Sequence, residues 1–385
     1  MSTLKVGALQ GISASSDAIT LANDGTCTAN ITNKPNRNLI INGAMQIAQR
    51  GTSATGTGYK TVDRFTSIGN GSQGLTQSQD TDVPTGQGFS KSLKFDCTTA
   101  NASPSAGNYV SIQYKIEGQD LQQIANGTSS AKKVTLSFWV KSPKTGNHAV
   151  GINKPDSTGR QNTKTYSVST ANTWEKKTIT FDGDTSGGGI ANDNGIGFNI
   201  NWFLLAGSTY NSIDSTSWVN YSSGTWAYGH AVNVFDNTNN NFYITGVQLE
   251  VGSVATDFEH LSFADELRRC QRYYYRVGLN QGVYYGGDLG IGFTDNDNNN
   301  IYIRTEFPTQ MRIAPTAVEQ TGDAGEYKVR RDTTKTCSGV PTFSQATAWA
   351  AKTNFPSSGH GWGTASPAWG QTGNSDSFLA WSAEL

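Results

Sequence analysis

Six aromatic side chains stand in polar, loop-like stretches where they could do chemistry: Trp218, Tyr221, Trp226 and Tyr228 within SWVNYSSGTWAYGH, and Trp362 and Trp369 between Pro356 and Gly373. An indole or phenol ring stacks on the C–H face of a sugar while neighbouring Asn, Asp and Gln bond its hydroxyls. These six are therefore the candidate carbohydrate-binding residues. The competing reading for each is packing beneath a long loop. Trp139, Trp174 and Trp202 lie in strand-like context and read as core or sheet-face residues.

Bond-breaking chemistry has less to draw on. A glycosidase needs two carboxylates facing each other across a sugar. The candidates Asp182, Asp184 and Asp193 fall in Gly-rich turns, where Asp usually forms the turn itself. There is no GxSxG elbow and no HExxH, and the four histidines (His148, His230, His260, His360) are scattered singly. No catalytic residue, metal or cofactor is expected, so the chain reads as a non-enzyme. Asp295 to Asn300 places oxygen ligands on alternate residues but lacks the Gly and the distant Glu of a calcium loop; it reads as a hairpin turn, with a cation site as the alternative.

The elements that would position these residues are strands. Val134, Leu136, Phe138 and Val140 alternate strictly, which leaves Trp139 on the opposite face. Similar strands are predicted at Lys91–Asp96, Tyr109–Ile116, Thr178–Phe181, Ile196–Leu205 and Asn241–Val251. In the last of these the apolar phase shifts across Gly246, as a β-bulge would require. Many strands divided by Gly, Asn and Asp turns specify an all-β, multi-domain chain, with a jelly-roll sandwich first and a C-terminal β-sandwich after it. Between them FADELRRCQRYYYR predicts a helix over Phe263–Arg276, capped by Ser262 with Asp265, whose buried stripe is Phe263, Leu267, Cys270 and Tyr274. Such a stripe serves either an intramolecular contact or a bundle of copies.

Residues 1–37 carry short apolar pulses and a hairpin signal at Asn23-Asp24-Gly25, too little to fold without a partner. The 29 basic and 30 acidic residues leave a net charge of -1, which recruits neither nucleic acid nor an anionic membrane. The N-terminus lacks the apolar core of a secretion signal, and no stretch approaches the roughly 20 apolar residues of a membrane span, so synthesis in a cytoplasm is expected. The four cysteines form no CxxC pair and read as buried thiols.

Several segments together carry a resemblance: LKVGALQGIS with DAITLANDGT, NLIINGAMQIAQRGTS with YKTVDRF, FYITGVQLEVGSVATDFEHLSFADELRRCQRYYYR, and FPTQMRIAPTAV with the terminal AEL. In this order, over nearly the whole chain, they resemble tail-fibre and tailspike-like proteins of tailed bacteriophages, of the marine phage and prophage type. The resemblance implies a homotrimer. It assigns residues 1–37 to attachment on a phage tail or capsid protein, 38–260 to a jelly roll similar to carbohydrate-binding modules, 261–276 to a helical junction, and 277–385 to a distal β-domain. The function it implies is a virion tail appendage binding host-surface glycan multivalently, with no membrane insertion. A structural head fibre or capsid decoration protein is the alternative, and a polysaccharide depolymerase the next.

Overall fold

The computed structural model of the chain describes residues 6–10, 12, 19–21, 27–29, 35–278, 288–374 and 376–385. Near the start, strands β1 (Ala8–Leu9), β2 (Ile19–Leu21) and β3 (Cys27–Ala29) form a small antiparallel sheet. Ile19 pairs with Ala29 and Leu21 with Cys27, as the hairpin signal requires, while the Asn23-Asp24-Gly25 turn lies outside the described residues. Val6, Leu9, Ile12 and Leu21 are all exposed, so the described part of this segment buries little of its own apolar surface.

The next strands build the jelly roll: β4 (Ser53–Thr55), β5 (Phe65–Asn70), β6 (Gly74–Asp80), β7 (Ser92–Thr99), β8 (Tyr109–Glu117), β9 (Val134–Lys141), β10 (Gly146–Lys154), β11 (Arg160–Val168), β12 (Glu175–Phe181), β13 (Ile196–Ala206), β14 (Val219–Asn220) and β15 (Asn241–Val251). One antiparallel sheet has the order β14-β11-β10-β13-β8-β5 and the other β12-β9-β15-β7-β6-β4. A continuous core between them includes Phe95, Ile112, Leu136, Phe138, Ile200, Trp202 and Leu249. The alternation in β9 is the one read from sequence: Val134, Leu136, Phe138 and Val140 are buried and Trp139 is half-exposed. So is the bulge in β15, where the register against β9 slips between Thr245 and Gln248. Gly246 there has φ +61°, and a Cβ would lie 2.6 Å from Phe89 Cζ.

Helix α1 is shorter than the sequence predicts. It spans Phe263–Gln271, with Ser262 Oγ accepting from the Asp265 N–H at 3.2 Å as its cap. The aromatic, strand-favouring YYRV then leaves the helix and becomes β16 (Tyr274–Val277). The predicted stripe is also corrected, because Phe263 is 60% exposed and Leu267 only half-buried, while Glu266 and Cys270 form the buried face.

The C-terminal sandwich pairs β16 with β25 (Leu379–Ser382) and β25 with β19 (Glu319–Gln320) in one small sheet. Its other sheet has the order β21-β20-β24-β17-β18-β23-β22, built from β17 (Asp288–Thr294), β18 (Asn300–Glu306), β20 (Tyr327–Arg330), β21 (Thr334–Thr336), β22 (Thr342–Ala346), β23 (Ala350–Pro356) and β24 (Pro367–Thr372). Leu289, Ile301, Ile303, Tyr327, Phe355 and Trp381 fill the core between them. Cys97, Cys270 and Cys337 are buried free thiols.

Segments quoted for the resemblance converge on the seam between the two sandwiches. The Asn42 N–H donates to Glu266 Oε1 at 2.5 Å, and its side chain donates to the carbonyls of Ile47 and Asp63. Arg64, 1% exposed, pairs with Glu384, donates to the Lys115 carbonyl at 2.7 Å and lies 3.4 Å over the Tyr273 ring. Glu117 accepts from Arg272 at 2.8 and 2.7 Å and from the Tyr273 hydroxyl at 2.5 Å. Arg312 donates to main-chain oxygens of Ala383 and Glu384, each at 2.7 Å, and of Asn194 at 2.9 Å. The YYYR run thus grips both bodies, since the Tyr274 hydroxyl reaches Glu319 and Tyr275 stacks on Trp381. These motifs form a clamp within one chain.

Candidate functional site

Phe293 and Trp369 stand exposed together on the outer face of the seven-stranded sheet, and a bulge puts Phe293 there. In β17 an unbroken alternation would send Leu289, Ile291 and Phe293 to the same side. The register against β24 instead slips between Asp288 and Gly290. Gly290 has φ +146°, and a Cβ on it would lie 2.2 Å from the Arg304 carbonyl oxygen, so no side chain fits. Leu289 therefore enters the core at 1% exposure, whereas Ile291 and Phe293 turn outward at 58% and 57%.

Antiparallel register carries a row across the sheet from these residues. Arg330 lies opposite Trp369, Trp369 opposite Ile291, Ile291 opposite Arg304, and Arg304 opposite Lys352. Directly opposed residues share a face. At about 4.8 Å per strand the row spans about 19 Å. A second row runs beside it through Pro367, Phe293, Tyr302 and Asn354. The Lys352 ammonium sits 4.2 Å from the Tyr302 ring centroid, a cation–π contact that holds it on this face.

Two clefts flank the apolar ridge. One, of about 320 Å³, is lined by Asp288, Arg330, Arg331, Trp369 and Gln371. The other, of about 370 Å³, is lined by Arg304 and Lys352 with Gln345, Thr347, Ala350 and their neighbours. Both lie within the size range of small-ligand sites. Lys328, Arg330, Arg304 and Lys352 project outward from the strands here, against the carboxylates of Asp288 and Glu306. Arg330 and Lys328 make no ion pair with any described residue; Arg304 meets Glu306 at 3.2 Å with both side chains well exposed, a contact worth little.

The residues singled out from sequence are not brought to one place. Trp369 is central to this face, on strand β24 rather than on a loop, and is 38% exposed. Trp362 does lie on a loop, half-buried against the second core, with its ring near His360 and the Lys335 ammonium. Trp226 is buried at 9% exposure and meets Tyr109, Phe203 and Tyr210 edge-on, pinning a loop to the outer side of the jelly roll. Trp218 is half-buried, donates from Nε1 to the Asp182 carbonyl at 2.6 Å and stacks on Phe198. Tyr221 is exposed, and Tyr228 is half-buried. Sequence reasoning missed Ile291, Phe293, Tyr302 and the cations beside them, as well as Trp349, 57% exposed at the turn before β23. Alternation in Asn300–Glu306 could have found Tyr302 and Arg304; the phase break at Gly290 hid the others.

The carboxylates weighed for catalysis have structural occupations. Asp182 is exposed and pairs with Lys133 at 2.7 Å, which holds its carboxyl below the ordinary range. Asp184, two residues on, is buried and accepts from Arg160 Nε and Nη2, each at 3.2 Å. Asp193 caps its own turn by accepting from the Gly195 N–H at 2.8 Å. At the Asp295–Asn300 tip, Asp297 Oδ1 accepts from the N–H groups of Asn299 and Asn300, so the turn itself uses that carboxylate. Among the described residues no group of three or more His, Cys, Asp or Glu side chains is placed to hold a metal ion.

No protein-family model matches this chain, and no curated protein matches it. Among solved structures, it is similar to the enzymatically active domain of bacteriophage CBA120 tailspike protein 4, at 14% identity and a TM-score of 0.31, over 57% of this chain and 22% of that one. It is also similar to the family 11 carbohydrate-binding module of a Clostridium thermocellum cellulosomal cellulase, at 11% identity and a TM-score of 0.28, over 53% of this chain and 96% of that one. A xylan-binding domain of family 22 overlaps 54% of this chain and 98% of its own length, at 12% identity and a TM-score of 0.27. Overlaps this loose bear on neither ligand nor activity.

Proposed function

We propose that the chain is a bacteriophage tail fibre, a non-enzymatic virion appendage that holds the particle through residues 1–37 and binds host-surface glycan. The observation that carries the binding part is the open Trp369 ring, set beside Ile291 on a rigid strand instead of filling a core. A sugar ring laid on that ridge would have donors and acceptors from Gln371, Asp288 and Asn354 within the same face. Strand-borne side chains are pre-ordered, so little entropy is lost on contact. Single contacts of this kind are weak, and assembly as a homotrimer would multiply them through avidity. What supports attachment by the N-terminal segment is its likeness to phage sequences together with its exposed apolar residues. The non-enzymatic reading is supported by the turn and ion-pair roles of Asp182, Asp184 and Asp193.

The test is retention of the full chain by envelope polysaccharide from the bacterium to which it adsorbs. Wild type should be retained without releasing new reducing ends, and Trp369→Ala should elute early with an unchanged melting curve. Release of reducing ends that disappears in Asp182→Asn would make the chain a depolymerase. A structural head fibre is favoured by one observation, that the most recognisable motifs build a clamp rather than a ligand site. Failure of every envelope polysaccharide to retain the chain would support that reading.

A further inference from the structure

The outer face of the seven-stranded sheet has an order to its charges. Each cleft holds a pair of cations, Arg330 with Arg331 on one side and Arg304 with Lys352 on the other, and between them stand Trp369 and Ile291 with no charge. Arg330 and Arg304 are three strand spacings apart, about 14 Å. The chain as a whole carries a net charge of -1, so this concentration of positive charge is local. Arg330 makes no ion pair with a described residue, whereas Arg331 meets Asp332 at 3.4 Å and Arg304 meets Glu306 at 3.2 Å, both exposed pairs that are worth little. Guanidinium groups held this loosely match carboxylate, sulfate or phosphate esters by forked hydrogen bonds.

Resting on the glycan reading above, we propose that this face selects an acidic polysaccharide. One anionic substituent sits in each cationic cleft, and the face of a sugar ring crosses the Trp369–Ile291 ridge between them. The bound polymer then presents two of its charges about 14 Å apart, a few sugars along its chain, matching the three strand spacings. A nucleic acid fits less well: binding to a phosphate backbone grows with the number of phosphates neutralised, and four cations offset by Asp288, Glu306 and Asp332 neutralise few. A second copy of the chain would have to fill both clefts as well as cover the ridge.

The experiment measures retention of the full chain on immobilised polygalacturonate, hyaluronate and alginate, with dextran, fully methyl-esterified pectin and single-stranded DNA as comparators. Binding to at least one acidic polysaccharide and to none of the comparators is expected. It should weaken steeply as salt rises from about 50 mM to about 500 mM, where screening shortens to a few ångströms. Arg330→Gln with Arg331→Gln, and separately Arg304→Gln with Lys352→Gln, should each lower affinity about tenfold or more, with unaltered melting curves. The inference is overturned if neutral polymers or DNA are retained as well as acidic ones, if no acidic polymer is retained, or if both Gln pairs bind like the parent. Retention of neutral polymers that Trp369→Ala abolishes would leave the glycan reading standing and remove only the acidic class. Concentration-dependent self-association that Trp369→Ala abolishes, with no polymer retained, would make the face a contact between copies and remove both.

Discussion

Trp369 and Trp226 are the same residue type with opposite duties. Trp369 stands 38% exposed on an outer sheet face, outside the core between the sheets, so truncation removes a surface ring rather than a core one. Trp369→Ala should cost about 1–3 kcal/mol of glycan affinity and, as a surface change, move stability within about 1 kcal/mol. Trp226 packs edge-on against three aromatic rings, so Trp226→Ala should cost about 3–5 kcal/mol of stability, read by denaturant unfolding. Two histidines set a pH limit. Burial, aided by repulsion from His148, lowers the His230 imidazole to about 3, and burial lowers His148 to about 4, both from 6.5. His230 Nδ1 accepts from the Ala149 N–H at 3.2 Å, which a protonated ring could not do. Because the folded values are depressed, their stabilisation is full above 6.5 and is lost as pH falls toward them. Burial lifts Asp63 to about 6 and raises Glu266 and Asp120 as well, an opposite contribution, but Glu117, Asp82 and Glu175 are held low by their hydrogen-bond partners and lose stability on acidification alongside the two imidazoles. Melting temperature should therefore fall on acidification below pH 6.5, and His148→Gln should flatten that fall; an unchanged profile would remove His148 from the account. The sequence marked both tryptophans as notable in type, yet exposure separates their roles, and exposure depends on which strands lie alongside.

Elements show the same division between local and distant information. The alternation in Val134–Lys141 and the slip across Gly246 were legible because a half-buried strand writes its period into adjacent residues. The end of the helix was not, since Tyr274–Val277 becomes a strand only by pairing with Leu379–Ser382, about a hundred positions away. The outward turn of Ile291 and Phe293 was hidden likewise, because it rests on one glycine at φ +146° against the Arg304 carbonyl. Gly290→Val should destabilise the C-terminal sandwich by about 1–3 kcal/mol through backbone strain and weaken glycan retention together. Unaltered melting and retention would mean that β17 does not need the bulge. Leu267→Asp, at a half-buried position, should cost less than the several kcal/mol of a fully buried unpaired charge.

At the scale of the whole molecule, the two sandwiches have separate cores and a polar seam. Arg64 is 1% exposed, and its partner Glu384 comes from the far end of the chain. Glu384→Gln would leave that guanidinium buried without its counter-charge, a loss of about 3–5 kcal/mol, and should split calorimetric unfolding into two transitions. A single unshifted transition would show the seam to be held elsewhere. The seam also explains why the motifs behind the phage resemblance revealed an architecture but not a binding face: NLIINGAM, TVDRF, CQRYYYR and MRIAPT place their residues at the clamp, while the outer face is written in ordinary strand residues. The most direct test of the account is hydroxyl-radical footprinting of the full chain with and without the envelope polysaccharide that retains it. Protection at Trp369, Phe293 and Tyr302, with Trp218 and Tyr221 equally reactive in both states, is the predicted result. Protection of Trp218 and Tyr221 with Trp369 unchanged would contradict it and move the binding face to the jelly roll.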